Sequence, residues 1–175
     1  MTPADILAWH DFFAILAEVG STLAGLLFVG LTISLGHVLQ ARGYLSRVFG
    51  AFFLLFESVL IGMFGLLPNQ SAFLLGLEFI VVSIAILLGT QAFARAFPED
   101  HTTVMGSVRM HRFRMTLMLG GTLLPVVAGI CLCLNIPGAL YWLMPAEICC
   151  LYLSFSQAWI FAVEIPRRAN IKSDL

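Results

Sequence analysis

The chain has 175 residues, of which 60% are hydrophobic and 11% charged, with a formal net charge of −1 and a mean hydropathy of +0.98. Soluble domains average about 45–50% apolar and about 25% charged, so a water-soluble globule is excluded. A near-neutral chain also lacks the basic face that a nucleic-acid partner requires.

The N-terminus carries no basic segment ahead of its first apolar run and opens with Asp5 and Asp11 instead. It therefore does not read as a cleavable signal, and the first run is expected to stay as a membrane span. Thr2-Pro3-Ala4-Asp5 supplies a cap hydroxyl, a proline suited to the first helical position and an acid in the first turn. A helix from Pro3 to about Gln40 would be about 57 Å long, so it either projects outward or bends near Gly20 or Gly25. A spanning helix needs about 20 apolar residues. On that length the predicted spans are 12–35, 49–67, 72–94, 114–135 and 139–164. The second and third are joined by a turn at Pro68-Asn69-Gln70, the fourth and fifth by one at Asn135-Ile136-Pro137-Gly138. Pro125 predicts a kink in the fourth span, because it removes a backbone donor.

All nine Lys and Arg residues fall in three windows: Arg42 to Arg47, Arg95 to Arg114, and Arg167 to Lys172. Basic residues stay on the cytoplasmic side of a membrane. The three windows share a side only if the number of spans is odd. The predicted fold class is therefore all-α: a polytopic membrane protein of five transmembrane helices in one domain, 1–175, with the N-terminus outside and the C-terminus cytoplasmic. Trp9, Tyr141 and Trp142 then lie at the outer interface and Tyr44 at the inner one, where amphipathic rings are favoured. Arg109, Arg112 and Arg114 form a basic run just under the membrane. It reads first as topogenic charge, and secondly as a contact for anionic lipid head groups.

Four acids lie inside predicted spans: Glu18, Glu57, Glu78 and Glu147. Each costs about 2.5 kcal/mol or more at the centre of a span, so all four are expected to be buried carboxylates that face other helices, a water-filled cavity or a subunit interface. No basic residue occurs in a span interior to pair with them. They must be neutral, hydrogen-bonded or in contact with a cation. Counting along the spans puts Glu18, Glu78 and Glu147 in one layer roughly 9–12 Å below the outer edge, with Glu57 deeper, near the midplane.

The first span carries a second pattern. Asp11, Glu18, Thr22, Gly25, Val29, Thr32 and Gly36 recur at three, four or seven residues and occupy about a quarter of the helix circumference. Leu16, Leu23, Leu27 and Leu31 bulk out the opposite side. Acids, then hydroxyls and glycine, then a valine suit the lining of a pore that gathers cations at its mouth. Small residues such as Ala17, Ser21, Ala24 and Gly25 equally suit close helix packing. His10 and His37 flank this span as ordinary interfacial imidazoles, and Gln157 and Trp159 on the last span suit bonds to a neighbouring helix.

The four cysteines, Cys131, Cys133, Cys149 and Cys150, sit in apolar runs and read as small buried hydrophobes. No further ligand accompanies Cys131-Leu-Cys133 at metal-site spacing, so neither metal nor cofactor is expected. Phosphate loops, nucleophile elbows and His-Glu-x-x-His are missing, so an enzyme is not expected.

Ala8-Trp9-His10-Asp11-Phe12-Phe13, the stretch from Gly25 to Leu35, Leu67-Pro68-Asn69-Gln70, Leu140 to Pro145 and Ala158-Trp159 to Ile165 together resemble a family of small five-span bacterial membrane proteins of actinobacterial type. The resemblance covers most of the chain and implies a multi-pass protein of the bacterial cytoplasmic (inner) membrane. Members are sometimes labelled modulators of the membrane protease FtsH, a role carried by no residue here. The resemblance also implies apolar residues where this chain has Glu57 and Glu147.

These readings lead to a homo-oligomeric channel in the lipid bilayer, conducting cations, with Asp11, Glu18, Thr22, Gly25, Val29 and Thr32 along the pathway. The alternative is a non-conducting regulatory or scaffolding subunit that binds another membrane protein through its helix surfaces.

Overall fold

A computed structural model describes residues 6–40, 42–96 and 108–159, with side chains described for 6–33, 48–96 and 112–159. Among these residues the architecture is all-helical. Helix α1 spans His10–Gln40, α2 Arg42–Gly65, α3 Ala72–Ala96, α4 Val108–Cys133 and α5 Leu143–Trp159, with a 3-10 turn at Ala139–Trp142 leading into α5. Five segments are long and apolar enough to cross a membrane: His10–Ile33, Val48–Gly65, Ala72–Ala96, Arg112–Cys133 and Ala139–Trp159. The five expected spans are therefore present, within a few residues of their expected limits. The last part of the fifth, beyond Trp159, lies outside the described residues, as do Pro3 and the basic window at Arg167 to Lys172.

One expectation for the N-terminal region is overturned. The helix is not continuous from its start to Gln40, because a turn at Ala8 and Trp9 interrupts it, with the Trp9 N–H bonded to the Ile6 carbonyl at 3.0 Å. The 31 residues of α1 then make a helix about 46 Å long.

The helix ends are built by the turn residues. Ser71 caps α3, its hydroxyl accepting a bond from the Leu74 N–H at 3.3 Å. At the end of α4 the Ile136 N–H bonds the Cys131 carbonyl at 2.9 Å and the Asn135 N–H bonds the Leu132 carbonyl at 3.0 Å. This pair of bonds is the Schellman closure, and it requires a left-handed residue at Asn135, which has φ 55°. Gly138, at φ 80°, then turns the chain into the 3-10 segment. Pro125 is buried inside α4, and the helix continues past it to Cys133.

Small residues set the helix spacing. A Cβ on Gly76 would come 2.5 Å from the Gly129 carbonyl oxygen, and one on Gly129 would come 2.5 Å from the Gly76 oxygen, so α3 and α4 cross backbone to backbone. Gly62 of α2 meets α1 in the same way, its Cβ position 2.8 Å from the Ala17 nitrogen and the Phe13 oxygen. Helix α2 is central, packing on α1, α3 and α5, while α1 rests chiefly on α2 with a smaller contact to α5. The core at the end carrying the interhelical turns holds Phe13, Leu16, Ile61, Phe79, Leu132 and Leu143; further along, Leu27, Val48, Ala51 and Leu55 fill the space between α1 and α2. The outer surface is apolar on every helix, with Ile15, Phe28, Phe56, Leu88, Leu119 and Ile148 all exposed. Lipid tails cover such a surface at no hydrophobic cost. Trp9 stacks edge-on against Tyr141 with centroids 5.0 Å apart, which puts the start of the chain at the same end as the α4–α5 turn.

Candidate functional site: a buried carboxylate pair and an exposed face of α1

The bundle interior contains polar residues at the level where α2 faces α3 and α5. Glu57 and Ser58 are consecutive on α2 and therefore point about 100° apart. Glu57 is 1% exposed and Ser58 fully buried. Ser58 donates its hydroxyl to Glu147 Oε2 on α5. From α3, the fully buried Ser83 hydroxyl faces the Glu57 carboxyl, and Glu147 is close enough to interact with the same carboxyl electrostatically. Ser83 nevertheless stops short of a hydrogen bond, because its Oγ and both carboxyl oxygens of Glu57 have no hydrogen-bond partner. Glu147 Oε1 is also unpartnered. Cys150 follows one turn after Glu147, buried against Leu54 and Leu153 and under Gly121, whose Cβ position lies 2.7 Å from the cysteine sulfur. Further along the buried face of α5, Ser154 Oγ and Gln157 Oε1 have no partner either. A buried polar group left without a hydrogen bond costs about 1–3 kcal/mol, and a charged one costs more.

The pairing corrects the expected depths. Glu57 is not deeper than Glu147: the contact through Ser58 places both at one level, because α2 ends at Gly65 and the fifth span begins at Ala139, about two turns from each acid. Glu78, less than two turns into α3, is half-buried and accepts a hydrogen bond from Gln70 in the α2–α3 turn. Glu18 was expected to be buried and is exposed within this chain. The reason is that α1 rests chiefly on α2, with a smaller contact to α5, and the Glu18 side of the helix is turned away from both.

The whole stripe of α1 shares that outward direction. Asp11, Glu18, Thr22, Gly25, Val29 and Thr32 are all exposed, and a Cβ on Gly25 would meet nothing within 4 Å. Leu16 and Leu27, on the other side, are buried, with Leu23 and Leu31 packed beside them. The close packing that small residues suggested for this helix is realised by Ala17 and Gly20 against α2, and not by Gly25. The His10 imidazole lies 3.6 Å from the Asp11 carboxyl, both side chains exposed. The Thr32 hydroxyl is bonded at 2.7 Å to the Val29 carbonyl of its own helix. Of the basic run, Arg112 is exposed and Arg114 half-buried, while the Arg109 side chain lies outside the described set. Among the described residues, no group of three or more His, Cys, Asp and Glu side chains is placed to hold a metal ion.

No family model, curated protein or solved structure matches the chain. Two residues central to the buried pair, Ser58 and Ser83, were absent from the sequence reading. The one available signal was that Ser58 adjoins Glu57; for Ser83 there was none, since the carboxyl it faces comes from a different helix.

Proposed function

We propose that the protein is a homo-oligomeric membrane protein that conducts cations along a pathway between its copies, with α1 turned towards that pathway. The observation that carries this reading is the uniform exposure of Asp11, Glu18, Thr22, Gly25, Val29 and Thr32 on one face of a helix otherwise packed against α2. An exposed carboxylate two turns into a span is costly in lipid and needs water or protein beside it. A ring of copies related by a closed symmetry supplies both. In that ring Asp11 and Glu18 form charged rings at the mouth, Thr22 and Gly25 a polar neck, and Val29 an apolar constriction that gates by dewetting. A path through a single copy is disfavoured by the close crossings at Gly62, Gly76 and Gly129, which leave no room between backbones. The basic windows support an N-terminus outside and a C-terminus in the cytoplasm. The motif resemblance supports a place in the bacterial inner membrane.

The test is flux through purified protein in liposomes. Wild-type protein passes monovalent cations, and Glu18→Gln lowers the conductance or the cation-to-anion selectivity while leaving the fold intact. A tight bilayer under every cation gradient, or a strictly monomeric protein in mild detergent, overturns the reading. The second reading, a non-conducting subunit that seats a helix of another membrane protein on this face, is favoured by the open space over Gly25. It predicts no flux, together with a defined complex with a different protein.

A further inference from the structure

The interior of each copy holds a separate feature that the pathway along α1 does not use. Two carboxylates meet in a buried helical core, and no basic side chain in a span interior balances them. A structural pair would be expected to satisfy itself through hydrogen bonds. Here the hydroxyl of Ser58 serves Glu147 Oε2 alone. Both oxygens of Glu57, the second oxygen of Glu147 and the hydroxyl of Ser83 remain without partners, although Glu57, Glu147 and Ser83 are at most 4% exposed. Ser83 belongs to a third helix and is no acid, so its unpartnered, fully buried oxygen is an observation independent of the carboxylate pair. One monovalent cation, with one of the two carboxyls protonated, would give these oxygens a partner and leave no net charge in the core.

We propose that Glu57, Glu147 and Ser83 form a binding site for one small, hard monovalent cation of the sodium type, inside each protomer. The donor set is entirely oxygen, which selects hard cations over zinc or copper. It is too sparse for calcium, which takes about 6–8 oxygens. Cys150 is the other titratable group facing the pair, from α5; α3 contributes only Ser83, and no charged group of α1 is buried there. The site is independent of conduction between copies: a protein that passes no ions still binds sodium here if the site exists.

The experiment is the thermal unfolding of the detergent-solubilised full chain in sodium chloride and in choline chloride at equal ionic strength. Sodium near ten times its dissociation constant raises the wild-type melting temperature by roughly 3 °C over choline. Glu57→Gln abolishes that difference. Ser83→Ala, which removes a single hydroxyl and is the milder change, requires roughly five- to ten-fold more sodium for the same shift. Glu78→Gln, beside the α2–α3 turn, retains the wild-type response. Equal melting in sodium and choline overturns the proposal, as does a sodium shift that persists unchanged in Ser83→Ala. If Glu57→Gln fails to fold, the Ser83→Ala titration decides alone.

Discussion

Ser58 is the residue on which the buried pair turns. It stands next to Glu57 on α2, yet its hydroxyl reaches Glu147 on α5, so two acids separated by most of the chain share one polar contact. Removing that hydroxyl leaves a second carboxylate oxygen of Glu147 unpartnered in the core. Ser58→Ala is therefore expected to destabilise the protein by about 1–2 kcal/mol, read as a lower denaturant midpoint in detergent. A change below about 0.5 kcal/mol, the level of an ordinary surface substitution, would show that the hydroxyl does not support the pair. The acids themselves were visible in the sequence as charges inside apolar runs. Their partners were not. A serine in a span is unremarkable in composition, and its role depends on which helix lies opposite.

At the scale of a helix, glycines divide into two kinds that look alike in one dimension. Gly129 lies where α3 crosses α4, with the Gly76 carbonyl oxygen 2.5 Å from the site of its missing Cβ. Gly25 lies in the middle of α1 with nothing within 4 Å. Backbone cannot retreat as a flexible side chain can, so Gly129→Leu is expected to cost about 3 kcal/mol or more, at the upper end of overpacking losses. Gly25→Leu leaves the melting of a single copy unchanged. If copies meet through the α1 face, it instead shifts the assembly state, which size-exclusion chromatography with light scattering detects. Loss of folding in Gly25→Leu would contradict the open environment of that residue. The stripe on α1 was legible from its spacing, because a helix repeats every 3.6 residues and puts positions three, four and seven apart on one side. Whether that side faced inward or outward was not, since both sides of a membrane helix can be apolar.

For the whole molecule, an odd number of crossings would put the two termini in opposite compartments. Impermeant labelling of terminal tags in intact cells and in inverted vesicles is expected to find the N-terminus outside and the C-terminus inside. Both termini on one side would remove the five-span topology. The number and limits of the crossings were readable from the chain alone, because hydrocarbon about 30 Å thick demands long runs without charge, and basic residues collect between them. Those constraints act on each segment separately. The meeting of Glu57, Glu147 and Ser83, the bond of Glu78 to Gln70 and the outward turn of Glu18 depend on how the helices rotate and stack against one another. In lipid, hydrophobicity gives little preference among rotations of an apolar helix, and close contacts between small residues settle the choice. Gly62 against Ala17 and Gly76 against Gly129 are contacts between distant parts of the chain, and they exist only once the bundle has formed.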